Sequence, residues 1–249
     1  MKRMILGMSV VAAMLLTASS AIAAGVNLTW KDCLSDGGLS NRTSACLVNT
    51  GTNTLVGSFQ IDADQLGVTG IEVVIDLIAQ GGVLPAWWQF NSLNIGGQCR
   101  TTSLTSNAVI GGTAANCLDW SGGAAAGGIA RYDGAGTIAP ADTAAHRRLK
   151  LGYAVATPVD LLGVTEYFAF NVLVNNAKSV GTGACAGCST PVCVVVNSVN
   201  VVPGVLAGIF LSQGTAPGSN MATWQGTGAD CNEVPVKNAT WGQVKSLYR

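Results

Sequence analysis

Period-two alternation of apolar and polar residues runs through most of the chain, and it predicts strands. Five segments carry it clearly. In Leu55–Ile61, the residues Leu55, Phe59 and Ile61 share a face with Gly57. In Ile71–Ile78, Ile71, Val73, Ile75 and Leu77 face one way, and Glu72 and Asp76 face the other. Leu149, Leu151, Tyr153 and Val155 make the stripe of Leu149–Val155, and Phe168, Phe170, Val172 and Val174 that of Tyr167–Val174. Val192–Val202 is apolar on both faces, as a central strand covered on both sides would be. Weaker strands are expected at Val26–Trp30, Ala86–Phe90, Gly128–Tyr132 and Leu206–Leu211.

The spacers are rich in turn formers, including Ser35-Asp-Gly-Gly38, Asn49-Thr-Gly-Thr-Asn53 and Gln80-Gly-Gly82. Thr101–Gly127 and Gly134–Thr143 are dominated by small residues and read as loops or sparse edge strands. Short strands with turns between them, and almost no helical period, predict an all-β fold, an antiparallel β-sandwich of jelly-roll or immunoglobulin/cohesin-like type. One helix is expected at the end of the chain, Thr240–Arg249, where Trp241, Val244 and Tyr248 recur at helical spacing behind a capping-type Thr. No repeat of fixed period breaks the chain, so residues 24–249 are read as one domain.

Residues 1–23 have the parts of a secretory signal peptide. Lys2 and Arg3 give a positive start, Met4–Leu16 is apolar, and a small-residue stretch ends in Ala21-Ile-Ala23, the expected cleavage site. The apolar run falls short of the roughly 20 residues that span a bilayer, which disfavours a retained anchor. The later apolar stretch Val201–Leu211 is broken by Pro203, Gly204 and Gly208. A secreted protein is expected, extracellular, at the cell surface or periplasmic, with no membrane span once the signal is removed.

Composition narrows the function classes. The chain has 13 basic and 13 acidic residues, and removing Lys2 and Arg3 leaves 11 against 13, a net charge of −2. That balance excludes a nucleic-acid partner, which needs a basic face. Charged residues make up 10% of the chain, where about 25% is usual, and Gly, Ala, Ser, Thr and Asn take the polar role.

Eight cysteines, Cys33, Cys46, Cys99, Cys117, Cys185, Cys188, Cys193 and Cys231, all lie downstream of the export signal. An even count in an exported chain predicts disulfides. Of the 105 connectivities eight cysteines allow, sequence-local ones are favoured: Cys33–Cys46, Cys99–Cys117, Cys185–Cys188 and Cys193–Cys231. Cys185-Ala-Gly-Cys188 also has the spacing of redox motifs and zinc knuckles. A redox site would open a helix, whereas this motif leads into a strand. A zinc site would need Cys193 and Cys231 as further thiolates. Structural disulfides, no metal and no cofactor are therefore expected.

Catalytic constellations are sparse. His146 is the one histidine, and beside Arg147 and Arg148 it reads as the solvated start of a strand. No Gly-x-Ser-x-Gly elbow supplies a nucleophile. The candidate acid–base carboxylates are Asp62, Asp64, Glu72, Asp76, Asp119, Asp133, Asp142, Asp160 and Glu166. Glu72 and Asp76 share a strand face but stand about 13 Å apart, too far for glycoside hydrolysis. Asp62-Ala-Asp64 lacks the rest of a calcium loop. Trp87 and Trp88 follow Pro85. On a strand they would point to opposite faces, one into the core and the other available to stack on a sugar ring, but the favoured reading puts both over the sandwich core or under the C-terminal helix.

Val26-Asn-Leu-Thr-Trp30, Leu84-Pro-Ala-Trp-Trp-Gln-Phe90, the Cys185…Cys188…Cys193 cluster and the closing Thr240-Trp-Gly-Gln-Val-Lys-Ser-Leu-Tyr-Arg249 resemble a group of uncharacterised exported bacterial proteins ending in that motif. The resemblance spans nearly the whole mature chain and implies no activity. The strands around Val56, Ile71–Asp76 and Tyr167–Val172 resemble cohesin-like sandwiches in alternation only, and the cysteines depart from that pattern. The sequence thus points to an exported structural or interaction module without catalysis, its partner a protein or a polysaccharide. A carbohydrate- or ligand-binding module using Trp87 and Trp88 is the second reading, and a secreted hydrolase the third.

Overall fold

In the computed structural model the described residues are 24–79, 82–91, 96–110, 116–133, 144–204, 207–226 and 231. The expected signal peptide and the expected C-terminal helix both lie outside them. Two sheets pack face to face. The first runs β1 (Gly25–Trp30), β3 (Thr52–Gln60), β9 (Glu166–Asn175) and β5 (Leu104–Asn107), with β6 (Leu118–Asp119) parallel to β9. The second runs β2 (Asn41–Arg42), β12 (Met221–Trp224), β10 (Val192–Pro203), β4 (Gln65–Ala79), β8 (His146–Leu161) and β7 (Ala126–Asp133), with β11 (Ile209–Leu211) also on β10. Apart from β6–β9 and β2–β12, every strand pairing is antiparallel. The predicted antiparallel β-sandwich is the observed fold.

Alternation decides which side of each strand meets the other sheet. Ile71, Val73, Ile75 and Leu77 of β4 lie beside Leu149, Leu151 and Tyr153 of β8 and Val194, Val196, Val199 and Val201 of β10, all buried. The opposing sheet contributes Leu28, Leu55, Phe59, Phe170, Val172 and Val174. A β-bulge between Val196 and Ser198 keeps apolar residues inward on both halves of β10. Gly57 is required where β3 crosses Phe170, because a Cβ there would meet the ring at 2.1 Å.

The expected strand at Ala86–Phe90 is instead a 3-10 turn, Ala86–Trp88. Pro85 starts it with a fixed φ of −59°. Gly128–Tyr132 lies within β7, and the last of the weaker strands shortens to Ile209–Leu211. The segment Thr101–Gly127 contributes the short strands β5 and β6, so it takes part in the first sheet.

All eight cysteines are disulfide-bonded, but three of the four sequence-local pairings give way to long-range ones. Cys33 bonds Cys117, Cys46 bonds Cys188 and Cys99 bonds Cys185, at Cα separations of 6.2, 5.9 and 5.9 Å. Cys193–Cys231 forms as expected, at 5.6 Å. The reason is topological. β1 pairs β3, β3 pairs β9, and β6 pairs β9 in parallel, so Cys33, just after β1, and Cys117, just before β6, meet over Val56 of β3 and Phe168 of β9. The chain around Cys46 lies next to the loop before β10, where Gln225 bridges the carbonyls of Ser44 and Cys188. Four disulfides fit an oxidising compartment and not the reducing cytosol. No helix among the described residues is long and apolar enough to cross a membrane.

Candidate functional site

The residues that the sequence singles out fall into three places. The first surrounds Trp87 and Trp88. On a 3-10 turn successive side chains are about 120° apart, so adjacent tryptophans can both turn inward. They are 0% and 1% exposed, and neither offers a face to a ligand. Both indoles thus lie in the core, and the alternative of an exposed stacking platform at Trp87 or Trp88 does not hold. Trp87 stacks on Trp224 with ring centroids 5.0 Å apart, and Trp88 meets both edge-on. Their neighbours Trp30 and Phe90 extend the cluster to Tyr132. Two of the stacked indoles also place their N–H groups: Trp87 Nε1 donates to Ser179 Oγ at 2.9 Å and Trp224 Nε1 to the Cys188 carbonyl at 2.6 Å.

The C-x-x-C turn closes over this cluster and its two cysteines leave in opposite directions. Cys185 holds Cys99, and Cys188 holds Cys46. Gly187 packs so close to Pro85 that a Cβ would approach it to 2.2 Å. Gln225 completes the join, its amide donating to the carbonyls of Ser44 and Cys188 at 3.0 Å each. Neither cysteine bonds the other, so the motif forms no internal C-x-x-C disulfide and presents no free thiol. Cys33, Cys117 and Glu166 also lie together, but this is a disulfide beside a carboxylate. Glu166 accepts from Asn27 Nδ2 and the Ser35 amide at 3.0 Å each, and from Ser58 Oγ.

A residue that the sequence reading passed over completes the first place. Arg100 is 0% exposed, and its guanidinium lies 3.7 Å from the Trp87 ring centroid. It donates to the carbonyls of Trp87 at 2.9 Å and Ala177 at 3.0 Å, and also to Asn175. Burial lowers its pKa to about 10, which leaves it charged at neutral pH. Nothing in the Gly-rich sequence around it signals this role.

The second place is on the outer face of the second sheet. His146 is buried, not a solvated strand start, and its Nε2 lies 3.0 Å from Asp76 Oδ1. Arg148 donates to both Asp76 oxygens, Nε at 2.7 Å and Nη2 at 2.8 Å, and Asn197 also donates to Oδ2. The β4–β8 register, which sets Asp76 opposite Arg148, assembles the group. Asp133 adds ion pairs to Arg131 and Lys150. Burial pushes the Asp76 carboxyl up, and the hydrogen bonds and charges of Arg148 and His146 outweigh it, holding the group below the usual carboxylate range. This is a salt-bridged brace in which the histidine faces a carboxylate already held in bidentate fashion. Asp76 is therefore not part of a free polar strand face.

A prediction follows from its sign. A carboxyl with a depressed folded pKa contributes stability above its unfolded pKa of about 3.9, and loses it as pH falls through the folded value. Thermal melts are expected to fall steeply below about pH 4 in the wild type and less steeply in Asp76→Asn. Arg148→Met, which strips the bidentate partner from a buried carboxylate, is expected to cost about 3 kcal/mol at neutral pH in urea denaturation.

The third place is the end of the sandwich where Asp62 and Asp64 stand exposed on the loop between β3 and β4 and Asp160 near the end of β8. Asp64 Oδ1 accepts from the Gly163 amide and Asp160 Oδ1 from the Gly67 amide, each at 2.8 Å. These carboxylates organise turns and do not converge on a common point. Glu72 meets Asn200 on the outer face, and Asp119 caps its own turn through Ser121 and Gly123. Asp142 lies outside the described residues.

No family model and no curated protein matches this chain. Among solved structures it is similar to a cohesin module from a Clostridium perfringens ATCC13124 family 33 glycoside hydrolase, at 8% identity and a TM-score of 0.35, over 81% of this chain and 94% of that one.

Proposed function

We propose that this protein is an exported, non-catalytic interaction module that works through protein contacts. One observation carries the reading. The side chains best suited to chemistry or sugar stacking are spent inside the fold: His146 on Asp76, the described cysteines on one another, and Trp30, Trp87, Trp88, Trp120 and Trp224 in buried positions. What the described surface offers instead is exposed apolar side chains, mostly aliphatic on loops and strand ends with the single aromatic Phe210 on β11, the material of protein docking. The four disulfides support export, since they hold such a scaffold rigid in an oxidising medium.

The test is a binding screen of the purified mature protein against polysaccharides and against proteins secreted beside it, with chromogenic ester and glycoside substrates run in parallel. A protein partner retained at defined stoichiometry, with no polysaccharide retention and no turnover, is the expected result. Turnover that disappears in His146→Ala would overturn it in favour of a hydrolase. Retention on a polysaccharide column would return the reading to sugar binding.

A further inference from the structure

We propose that the tip of the sandwich formed by the β3–β4 loop and the β8–β9 turn is a docking surface for a partner protein segment carrying an apolar side chain flanked by lysine or arginine. The proposal rests on the reading of the protein as an interaction module and names the surface and the partner chemistry.

Three aliphatic side chains stand out at this end. Leu66, Leu162 and Val164 are 65, 60 and 61% exposed. Leu66 follows Gln65 in β4 and Leu162 follows Leu161, the last residue of β8, and Gln65 pairs with Leu161, which sets both leucines at the same end of the sheet. Val164 is joined to the same group because its amide donates to the Ile61 carbonyl at 2.8 Å.

Val164 is also strained. Its φ is +55°, a region that β-branched residues rarely occupy. Gly163 beside it is already committed, because a Cβ there would meet Ala63 Cα at 2.8 Å. The close approach of the two loops therefore uses the glycine and leaves the left-handed position to a valine. Burial does not offset the strain, since the side chain stays in solvent. For folding alone, Gly or Asn at 164 would serve better. An apolar side chain held in a costly conformation and left exposed is explained by a partner that covers it.

The surface is preorganised. Besides the turns held by Asp64 and Asp160, the Leu162 amide donates to Tyr167 Oη at 2.8 Å and the Gly204 amide to the Gly67 carbonyl at 2.9 Å. A fixed surface saves the ordering cost of binding. Its charge is one-sided. Asp62, Asp64 and Asp160 lie on the same two segments as the aliphatic group, and residues 61–67 and 157–166 contain no lysine or arginine. Such a rim favours a basic partner and repels an acidic one.

The probe is a displayed random-peptide library selected on the immobilised wild-type protein and scored on variants whose thermal melts confirm folding. Enriched peptides are expected to carry an aliphatic or aromatic residue next to Lys or Arg. Leu66→Ser/Leu162→Ser is expected to weaken them about tenfold or more. Asp62→Lys, whose side chain braces no turn, should weaken them about threefold, with the difference shrinking in high salt. Val164→Gly should raise the melting temperature by a few degrees and still weaken binding, which a merely structural role for Val164 would not do. Enriched peptides bound equally by these variants would overturn the tip as the site while leaving the interaction module standing. The absence of any such peptide class, or wild-type self-association that the Leu66→Ser/Leu162→Ser variant abolishes, would overturn the basic-flanked partner.

Discussion

Replacing Arg100 with methionine is expected to destabilise the fold by about 4 kcal/mol, although the substitution removes a charge from an apolar core. Two effects oppose each other. Burying a guanidinium is costly, and burial does lower its pKa. Exchange for an apolar side chain of similar length would recover that cost if nothing else changed. However, the guanidinium also satisfies the carbonyls of Trp87, Asn175 and Ala177, which belong to two separate segments, the turn after Pro85 and the end of β9 with the turn that follows it. Methionine leaves these acceptors without their donor, at about 1–3 kcal/mol each where no water enters. It also removes the flat cation from the Trp87 face, worth about 2 kcal/mol when desolvated. The second set of terms wins. Lysine keeps the charge but has no planar fork, so Arg100→Lys should recover less than half of the loss. For a chain of this size 4 kcal/mol corresponds to about 8–16 °C in melting temperature. A variant that melts within about 2 °C of wild type would show that the carbonyls find other donors.

Arg100 marks where sequence reading stops. The sandwich was legible because alternation is a local code. Ile71 to Leu77 and Leu149 to Val155 each show their inward stripe without reference to anything else in the chain. Val192–Val202 showed a strand covered on both faces for the same reason. The adjacent pair Trp87 and Trp88 misled, because a strand would have split them between faces whereas the turn after Pro85 turns both inward. Asp76 and His146 were each visible, but their meeting depends on the β4–β8 register across the 69 residues of chain between them. No composition or spacing near either residue encodes that register. Val164 was unremarkable as a sequence position. Its strain arises only because the loop at Ala63 claims the neighbouring glycine.

The cysteines depend most on such long-range information, and they carry the second large expected effect. Removing the Cys46–Cys188 bond in Cys46→Ser/Cys188→Ser is expected to cost about 3–5 kcal/mol in denaturant midpoint measurements. Its loop is the longest of the four, with a sequence separation of 142. The chain-entropy model gives about 5 kcal/mol for such a loop when it is closed alone, and less when Cys99–Cys185 already holds the same two regions together. That overlap makes a second expectation. The two bonds should be strongly non-additive, each single removal costing less than half of the double removal, because either one keeps the C-x-x-C turn seated over Trp87. The connectivity itself separates cleanly in a non-reduced tryptic digest. Cleavage after Lys31, Arg42, Arg100, Arg131, Lys178 and Lys237 puts Cys33 on fragment 32–42, Cys46 and Cys99 on 43–100, Cys117 on 101–131, and the last four cysteines on 179–237. The observed pairing joins 32–42 to 101–131, and 43–100 to 179–237, as two separate species. Sequence-local pairing would chain the first three fragments together and leave 179–237 alone. Finding the latter would remove the clamp over the tryptophan cluster and with it the expected cost of breaking Cys46–Cys188. Finding the former would show that the C-x-x-C turn joins two distant loops, so that its two cysteines fix the geometry of the tryptophan core.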